Sequence, residues 1–250
     1  LGPFLLPFIF VHSTLRYRPV FGFGDADFKK YIFLTLPLML GVSLTTVDEW
    51  VGRIIGSTME HGSISWLNYA RRLVLVPIAI VGQAAGQAAL PYLSQLSARN
   101  EYDKAAATLH RTLKNVVMLS LVMIGFFIVL AEPMTALVYE RGAFSSADTA
   151  KTAGVLRILS CSIVFWTVQM VSVRAFYAAQ NTLRPMVITT VVTVASLPVY
   201  YLMSRSFGLE GLAFSSCIGM AMQAGSIVYF YHRKNAHFRP ALIIRAAFRG

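Results

Sequence analysis

The hydrophobic residues of this chain are gathered into long blocks that short polar segments separate. Six blocks each reach or nearly reach the ~20 residues that an α-helix needs to cross ~30 Å of hydrocarbon. Backbone groups in lipid are satisfied only in helices and closed barrels, and no block alternates polar and apolar residues as a barrel strand does. The pattern therefore predicts an all-α polytopic transmembrane helix bundle. Its predicted spans are 31–56, 64–92, 116–138, 153–179, 186–203 and 209–231.

Lysine and arginine residues concentrate in every second gap between these blocks. Fourteen of them fall in one set of gaps and three in the other. By the positive-inside rule the richer set is cytoplasmic, so we expect both ends of the chain to face the cytoplasm of a bacterial inner membrane. The richer set comprises 12–30, 92–115, 180–185 and 232–250, and the poorer set comprises 57–63, 139–152 and 204–208.

Composition supports a membrane protein and excludes several other classes. Hydrophobic residues make up 56% of the chain, charged residues 13%, and the mean hydropathy is +0.60. The net charge of +11 is accounted for mostly by the predicted cytoplasmic loops, so we reject nucleic-acid binding. Cys161 and Cys217 lie inside predicted spans and form no metal or redox motif, and we expect no cofactor. The sequence contains no GxSxG, HExxH or P-loop motif, which favours a transporter over an enzyme.

The organisation along the chain predicts one helical lobe with flanking pieces. We expect residues 1–11 to end a preceding transmembrane helix, 12–30 to form a cytoplasmic loop and 31–231 to form the six-helix lobe. Residues 232–250 would be a cytoplasmic segment and the start of a further helix. Because the first residues already lie in an apolar block and another block begins at 241, we expect a piece of a longer protein.

Two local patterns predict helix starts outside the spans. Asn100, with Asp103 three residues later, resembles a helix cap before the good helix formers 104–109, so we expect a short cytoplasmic helix there. Ser145 with Asp148 matches a capping box.

Charged residues inside the predicted spans are the main candidates for function, because a charge is costly in the hydrocarbon. Glu49 and Arg53 stand four residues apart and could simply neutralise each other on one helix face, while Asp48 has no such local partner. Arg157 and Arg174 lie near the ends of their span, where snorkelling towards the interface is the simpler explanation. The complete set is Asp48, Glu49, Arg53, Arg71, Arg72, Arg157 and Arg174.

Arg71 and Arg72 are adjacent in one predicted span. They could snorkel from a helix end, yet they would lie towards the outer face, where the charge pattern does not favour basic residues. A role inside the bundle is the alternative, and guanidinium groups bind phosphate through two parallel hydrogen bonds. A transporter of an anionic substrate is therefore the best interpretation of the residues alone.

Three strings resemble the MurJ (MviN) family of lipid II flippases, in matching order and at matching distances through nearly all of the chain. The longest covers 62–97, GSISWLNYARRLVLVPIAIVGQAAGQAALPYLSQLS, and the others are ERGAF at 140–144 and RAFYAAQNTLRPM at 174–186. The resemblance implies the second six-helix lobe of a flippase of the MOP superfamily, similar in plan to MATE exporters.

The resemblance also implies the cargo and the residues that bind it. The cargo would be the undecaprenyl-diphosphate-linked peptidoglycan precursor, moved from the inner to the outer leaflet of the membrane by alternating access. Arg72 matches the cavity arginine of the family's common Asn-Tyr-Ala-Asp-Arg-Leu string, which begins here at Asn68. At Arg71 the usual acidic or polar residue is replaced, so Arg71 either adds to the phosphate site or turns away to the outer interface. The implied substrate-binding residues are Arg72, Arg71, Asn68, Asp48, Glu49 and Arg53.

Two other functions stay open at this point. The chain could belong to an exporter of another polyprenyl-linked glycan, or to a membrane scaffold that transports nothing. A monovalent ion or the membrane potential could drive transport, and the sequence does not choose between them.

Overall fold

A computed structural model describes residues 52–234 together with Phe28, Lys29, Ile32, Phe33, Thr35 and Trp50. The chain divides into two compact units, Leu1–Leu36 and Pro37–Gly250. The described residues of the first unit are helical. In the second unit, every regular element within the described residues is a helix, which confirms the predicted all-α class.

The first long helix within the described residues of the second unit consists of three consecutive segments. They are α1 (Ser63–Pro77), a π-helical segment (Ile78–Gln83) and α2 (Ala84–Ala98). A short helical stretch at 52–56 precedes them, and Gly62, with φ of 100°, turns the chain into α1. The π-helix follows Pro77, which lacks an N–H to donate and crowds the preceding turn, so a local departure from α-geometry is expected there.

Helix α3 (Tyr102–Tyr139) is a single helix of 38 residues. The sequence predicted a short helix at 104–109, and these residues are helical, but the helix continues into the span at 116–138, because the good helix formers run without a breaker into the apolar block. The predicted cap was wrong. Glu101 is the N-cap, and Asn100 adopts a positive φ of 58° while its side chain accepts a hydrogen bond from the Tyr102 hydroxyl.

Helices α4 (Ser146–Ser160) and α5 (Ser162–Ala178) form a bent pair with an angle of 44° between them. The predicted capping box at the start of α4 is confirmed. The Asp148 amide donates to the Ser145 hydroxyl, and the Ser145 amide donates to the Asp148 carboxylate.

The final segment, α6 (Leu183–Lys234), contains two helices that meet at a kink. Gly208 has φ of 57° and ψ of −132° inside it, a conformation that glycine adopts at little cost because it lacks a Cβ. Gly211 packs so closely on the Met203 carbonyl that a side chain there would overlap it. The two halves are referred to below as α6a, before Gly208, and α6b, after it.

Three helices of the described chain are long and apolar enough to cross a membrane, or four if the bent pair counts as one span. They are Ser63–Ala98, Tyr102–Tyr139 and Leu183–Arg233, the last of which contains the Gly208 kink. Most of the first predicted span, 31–56, lies outside the described residues, as does the predicted helix end at 1–11.

Two hydrophobic clusters hold this bundle together. One joins α1 to α4, the last turns of α3 and the middle of α6, with Leu156, Ile163 and Leu212 almost fully buried. The other joins α2 to α5, the first half of α3 and the end of α6, around Leu113 and Ile227. The α1–α2 helix therefore packs along its whole length on one side only, and its opposite side is left exposed.

Candidate functional site

Three of the six predicted site residues lie within five positions on α1, namely Asn68, Arg71 and Arg72. Ala70 between them is fully buried, and Leu67, Leu73 and Val74 are also buried, so this side of α1 packs on the bundle. Successive residues of an α-helix point ~100° apart. Arg71 and Arg72 consequently lie in different surroundings.

Arg71 is half-buried on the interior side of α1. It lines a cavity of about 20 Å³, room for about one water molecule, with polar contributions from Ser162 and Ser216. A methyl group built on Gly52 would lie 3.9 Å from its Nη2 atom, so the 52–56 stretch passes close to the guanidinium. The full lining is Arg71, Val74, Leu159, Ser162, Trp166, Ser216 and Met220.

Arg72 is exposed, on the other side of the same helix turn. The phenol of Tyr139, at the end of α3, lies near Arg72. The Tyr139 hydroxyl donates to the Tyr69 carbonyl at 3.4 Å, and the Tyr69 and Tyr139 rings lie 4.6 Å apart. Phe144 of the following loop stands edge-on to Tyr69 at 5.4 Å. An aromatic cluster thus supports the backbone from which Arg72 extends.

The exposed side of the α1–α2 helix carries further polar residues that the sequence reasoning missed. Gln83 and Gln87 are exposed on the same helix as Arg72, and Ala79 and Ala84 lie exposed near them. We call the surface that Arg72, Ala79, Gln83, Ala84 and Gln87 form the polar face, although the exposed apolar side chains of Val76 and Ile80 lie on the same side of the helix. A pair of glutamines four residues apart inside an apolar block was the signal that could have identified it.

The other predicted site residues are less informative. Asn68 lies on α1, partly exposed, four residues before Arg72, and Arg53 is exposed on the short helical stretch. Asp48 and Glu49 fall outside the described residues, so the structure does not show whether Glu49 faces Arg53.

Loop contacts fix the start of α1 against α4. The Trp66 indole donates to the Asp148 carboxylate at 2.8 Å, so the capping residue of α4 also holds α1. Lys151 approaches Glu60 at 3.5 Å and lies 5.7 Å from the centroid of the Trp66 ring. These contacts position the turn of α1 on which Arg71 and Arg72 lie.

Close packing and polar contacts also join the middle of the bundle. A methyl group built on Gly82 would lie 3.0 Å from the Thr167 side chain, which means that the π-helical segment touches α5 directly. The Gln169 amide donates to Gln223 at 2.6 Å, and the Gln223 amide donates to Thr193 at 3.1 Å. This chain of hydrogen bonds links α5 to both halves of α6.

Among the described residues, no three His, Cys, Asp or Glu side chains come together in a way that could hold a metal ion. The chemistry of the described site is therefore that of guanidinium, amide and hydroxyl groups beside aromatic rings. Such a surface can bind an anionic, partly polar ligand through charge-assisted hydrogen bonds.

Comparison with known proteins identifies relatives along the whole chain. A probable lipid II flippase MurJ of Bdellovibrio bacteriovorus is 28% identical over 222 residues, which are 88% of this chain and 42% of that protein. The probable lipid II flippase MurJ of Vibrio cholerae is 27% identical over an alignment of 252 positions, which covers 98% of this chain and 48% of that protein. The chain spans about half the length of such relatives.

Solved structures show the same fold. A lipid II flippase MurJ in an inward closed conformation superposes with a TM-score of 0.74 at 21% identity, covering 99% of this chain and 51% of that one. A MOP superfamily transporter from Pyrococcus furiosus superposes with a TM-score of 0.62 at 18% identity, covering 93% and 54%. The family model described as lipid II flippase MurJ matches residues 3–249. The chain therefore belongs to the lipid II flippase MurJ family.

Proposed function

We propose that this chain is the second lobe of a lipid II flippase, which moves the undecaprenyl-diphosphate-linked peptidoglycan precursor from the inner to the outer leaflet. Family membership supports the cargo, and coverage of about half of each relative supports a lobe of a longer protein. The protein is a multi-pass membrane transporter. Alternating access would be driven by a monovalent ion or by the membrane potential.

The polar face is the main observation that supports this proposal. Arg72, Gln83 and Gln87 are exposed on a helix that is long and apolar enough to span a membrane. Polar and charged residues within a span face the protein interior or a water-filled cavity, because contact with lipid tails would leave them unsatisfied. The polar face consequently requires either another part of the protein or water in front of it, as a wall of a transport cavity would have.

The roles of the two arginines follow from their surroundings. We propose that Arg72 binds the diphosphate of the cargo, since it is exposed and carries a planar fork of donors that matches two phosphate oxygens. Asn68, on the same exposed part of α1, would contact the cargo beside it. Arg71 would act mainly within the lobe, because it lines the small internal cavity near Gly52.

The remaining acidic and basic candidates precede α1 in the sequence. We propose that Asp48, Glu49 and Arg53 adjoin the cargo site. Arg53 is exposed, and the close approach of its helix at Gly52 to Arg71 supports this arrangement.

A six-span lobe is part of the proposal. The kink at Gly208 divides α6 into two halves, each long enough to cross ~30 Å of hydrocarbon, and the bent pair α4–α5 would form another span. Together with Ser63–Ala98, Tyr102–Tyr139 and the predicted helix 31–56, these make six. The segments 1–11, 12–30 and 232–250 would flank the lobe, with both ends of the chain in the cytoplasm.

Genetic complementation tests the function. The complete protein should restore growth to a strain depleted of its lipid II flippase, and Arg72→Ala should abolish the rescue at a normal membrane level. Arg111→Ala, which removes an exposed arginine from α3 and leaves the α1–α2 helix unchanged, is the matched control and should rescue fully. Failure of the unaltered protein to rescue would favour another polyprenyl-linked cargo or a scaffold, and rescue by Arg72→Ala would contradict the assigned site.

A further inference from the structure

A second polar surface lies on a different side of the lobe, in a groove between α3 and α4. The groove has a volume of about 370 Å³. It contains charged and hydroxyl side chains along its length and apolar side chains between them. Its lining is Val129, Glu132, Pro133, Ala136, Glu140, Ser146, Thr149 and Arg157.

Two carboxylates and one guanidinium give the groove its chemistry. Arg157 Nη2 lies 3.4 Å from Glu132 Oε2, and both side chains are about half exposed. The Thr149 hydroxyl donates to Glu140 Oε2 at 2.8 Å, which fixes the second carboxylate at the mouth of the groove. The charges do not cancel, since two carboxylates face a single arginine.

The groove begins where α3 ends and α4 starts, and it runs along both helices. Glu140 caps the end of α3, whereas Glu132 lies about 10 Å of helix rise before Tyr139. Arg157 lies about 16 Å of helix rise from Ser146, the first residue of α4. The charged groups therefore lie along α3, a helix that is long and apolar enough to span a membrane, and along its neighbour α4.

A half-exposed ion pair beside a helix apolar enough to span a membrane calls for a polar partner. Its long N–O distance leaves donors of Arg157 and acceptors of Glu132 available, and an exposed pair gains little from its own attraction. Lipid tails cannot satisfy these groups, but a headgroup with both a cation and an anion can.

We propose that this groove binds the headgroup of a phosphatidylethanolamine molecule from the surrounding bilayer. The lipid phosphate would accept hydrogen bonds from Arg157, and the primary ammonium would donate to Glu132, while Glu140 adds negative charge at the mouth of the groove. The apolar wall at Val129, Pro133 and Ala136 would contact the glycerol and the upper acyl chains. This site is separate from the polar face and does not depend on which cargo the protein moves.

Lipid retention by the complete purified protein tests the proposal. Native mass spectrometry would follow lipids carried over from an equimolar mixture of phosphatidylethanolamine, phosphatidylcholine and phosphatidylglycerol. Phosphatidylethanolamine should be retained most, because choline has no N–H to donate and glycerol has no positive charge. Equal retention of the three lipids would overturn the proposal.

Two groove variants separate the ammonium contact from the phosphate contact. Glu132→Gln should lower the preference for phosphatidylethanolamine over phosphatidylglycerol about fivefold, the equivalent of about 1 kcal/mol. Arg157→Gln should weaken retention of all three lipids, because all three have a phosphate. Glu210→Gln removes an exposed carboxylate outside the groove and should change neither quantity.

A purely structural ion pair would give a different result. In that case Glu132→Gln and Arg157→Gln would lower the melting temperature and leave the headgroup preference unchanged, which would overturn the proposal. If Glu132→Gln fails to fold, Glu140→Gln provides the test, since a glutamine carbonyl can still accept the Thr149 hydrogen bond. An unchanged preference in Glu140→Gln would likewise count against the site.

Discussion

Replacing the two adjacent arginines one at a time should distinguish an effect on transport from an effect on stability. In the complete protein, Arg72→Gln removes a charge from an exposed position of α1, and Arg71→Gln removes one from the side of the internal cavity. Glutamine keeps a polar side chain of similar reach in both cases. The two variants therefore differ chiefly in which face of the helix loses its guanidinium.

The two variants should change different quantities, cargo affinity for Arg72→Gln and the free energy of unfolding for Arg71→Gln. An exposed substitution changes the free energy of unfolding by about 0.5 kcal/mol or less, so Arg72→Gln should fold normally. It would lose two charge-assisted hydrogen bonds to phosphate, each about 1.5–3 kcal/mol, and hence at least about a hundredfold in cargo affinity. Arg71→Gln should instead lower the free energy of unfolding by about 1–3 kcal/mol through its half-buried contacts, with transport largely kept.

Complementation of a lipid II flippase-depleted strain, immunoblots of the membrane fraction and thermal unfolding in detergent would measure these effects. Arg72→Lys should rescue only in part, because an ammonium keeps the charge but lacks the planar fork. Loss of rescue in both glutamine variants would show that Arg71 adds to the phosphate site. Full rescue by Arg72→Gln together with full rescue by Arg71→Asp, the residue type common in the family, would refute the claim that α1 carries the anion site.

Two further predictions concern topology and packing. Single cysteines would be placed at Lys104 and at the exposed Thr58 in a background without native cysteines. A membrane-impermeant maleimide should label the first only from the cytoplasm and the second only from outside. The opposite pattern would reverse the proposed orientation. Gly82→Ala should lower the free energy of unfolding by about 1–3 kcal/mol, because the new methyl group would meet Thr167 at 3.0 Å. Gly125→Ala, whose Cβ meets no atom within 4 Å, is the control and should be neutral or stabilising in the same thermal unfolding measurement; equal losses would contradict the packing argument.

Local properties of the helices could be predicted from the sequence, because they depend on neighbouring residues. The capping box of Ser145 and Asp148 was predicted from a spacing of three residues and is confirmed. The sequence also predicted an interruption between the last two apolar blocks, and the kink lies at Gly208. The helix predicted at 104–109 is present but longer than expected, because a change in hydropathy does not end a helix.

Contacts between helices could not be predicted in the same way. Glu132 and Arg157 are 25 residues apart, and Trp66 and Asp148 are 82 apart. The local pattern does not identify these partners among many charged and polar residues, because the pairing depends on how the helices pack. Arg157 was expected to snorkel on its own, and its approach to Glu132 was found only in the structure.

Exposed surface in a membrane protein has to be interpreted by its polarity. Along α3 the exposed residues include Val122, Val129 and Leu137, and such a surface suits lipid tails. The polar face of the α1–α2 helix is equally exposed, yet Arg72 and its glutamines would be unsatisfied in the same lipid. Since one bilayer cannot suit both surfaces, we infer that they face different surroundings. This difference in polarity favours α1–α2 over α3 as the wall of the cargo site.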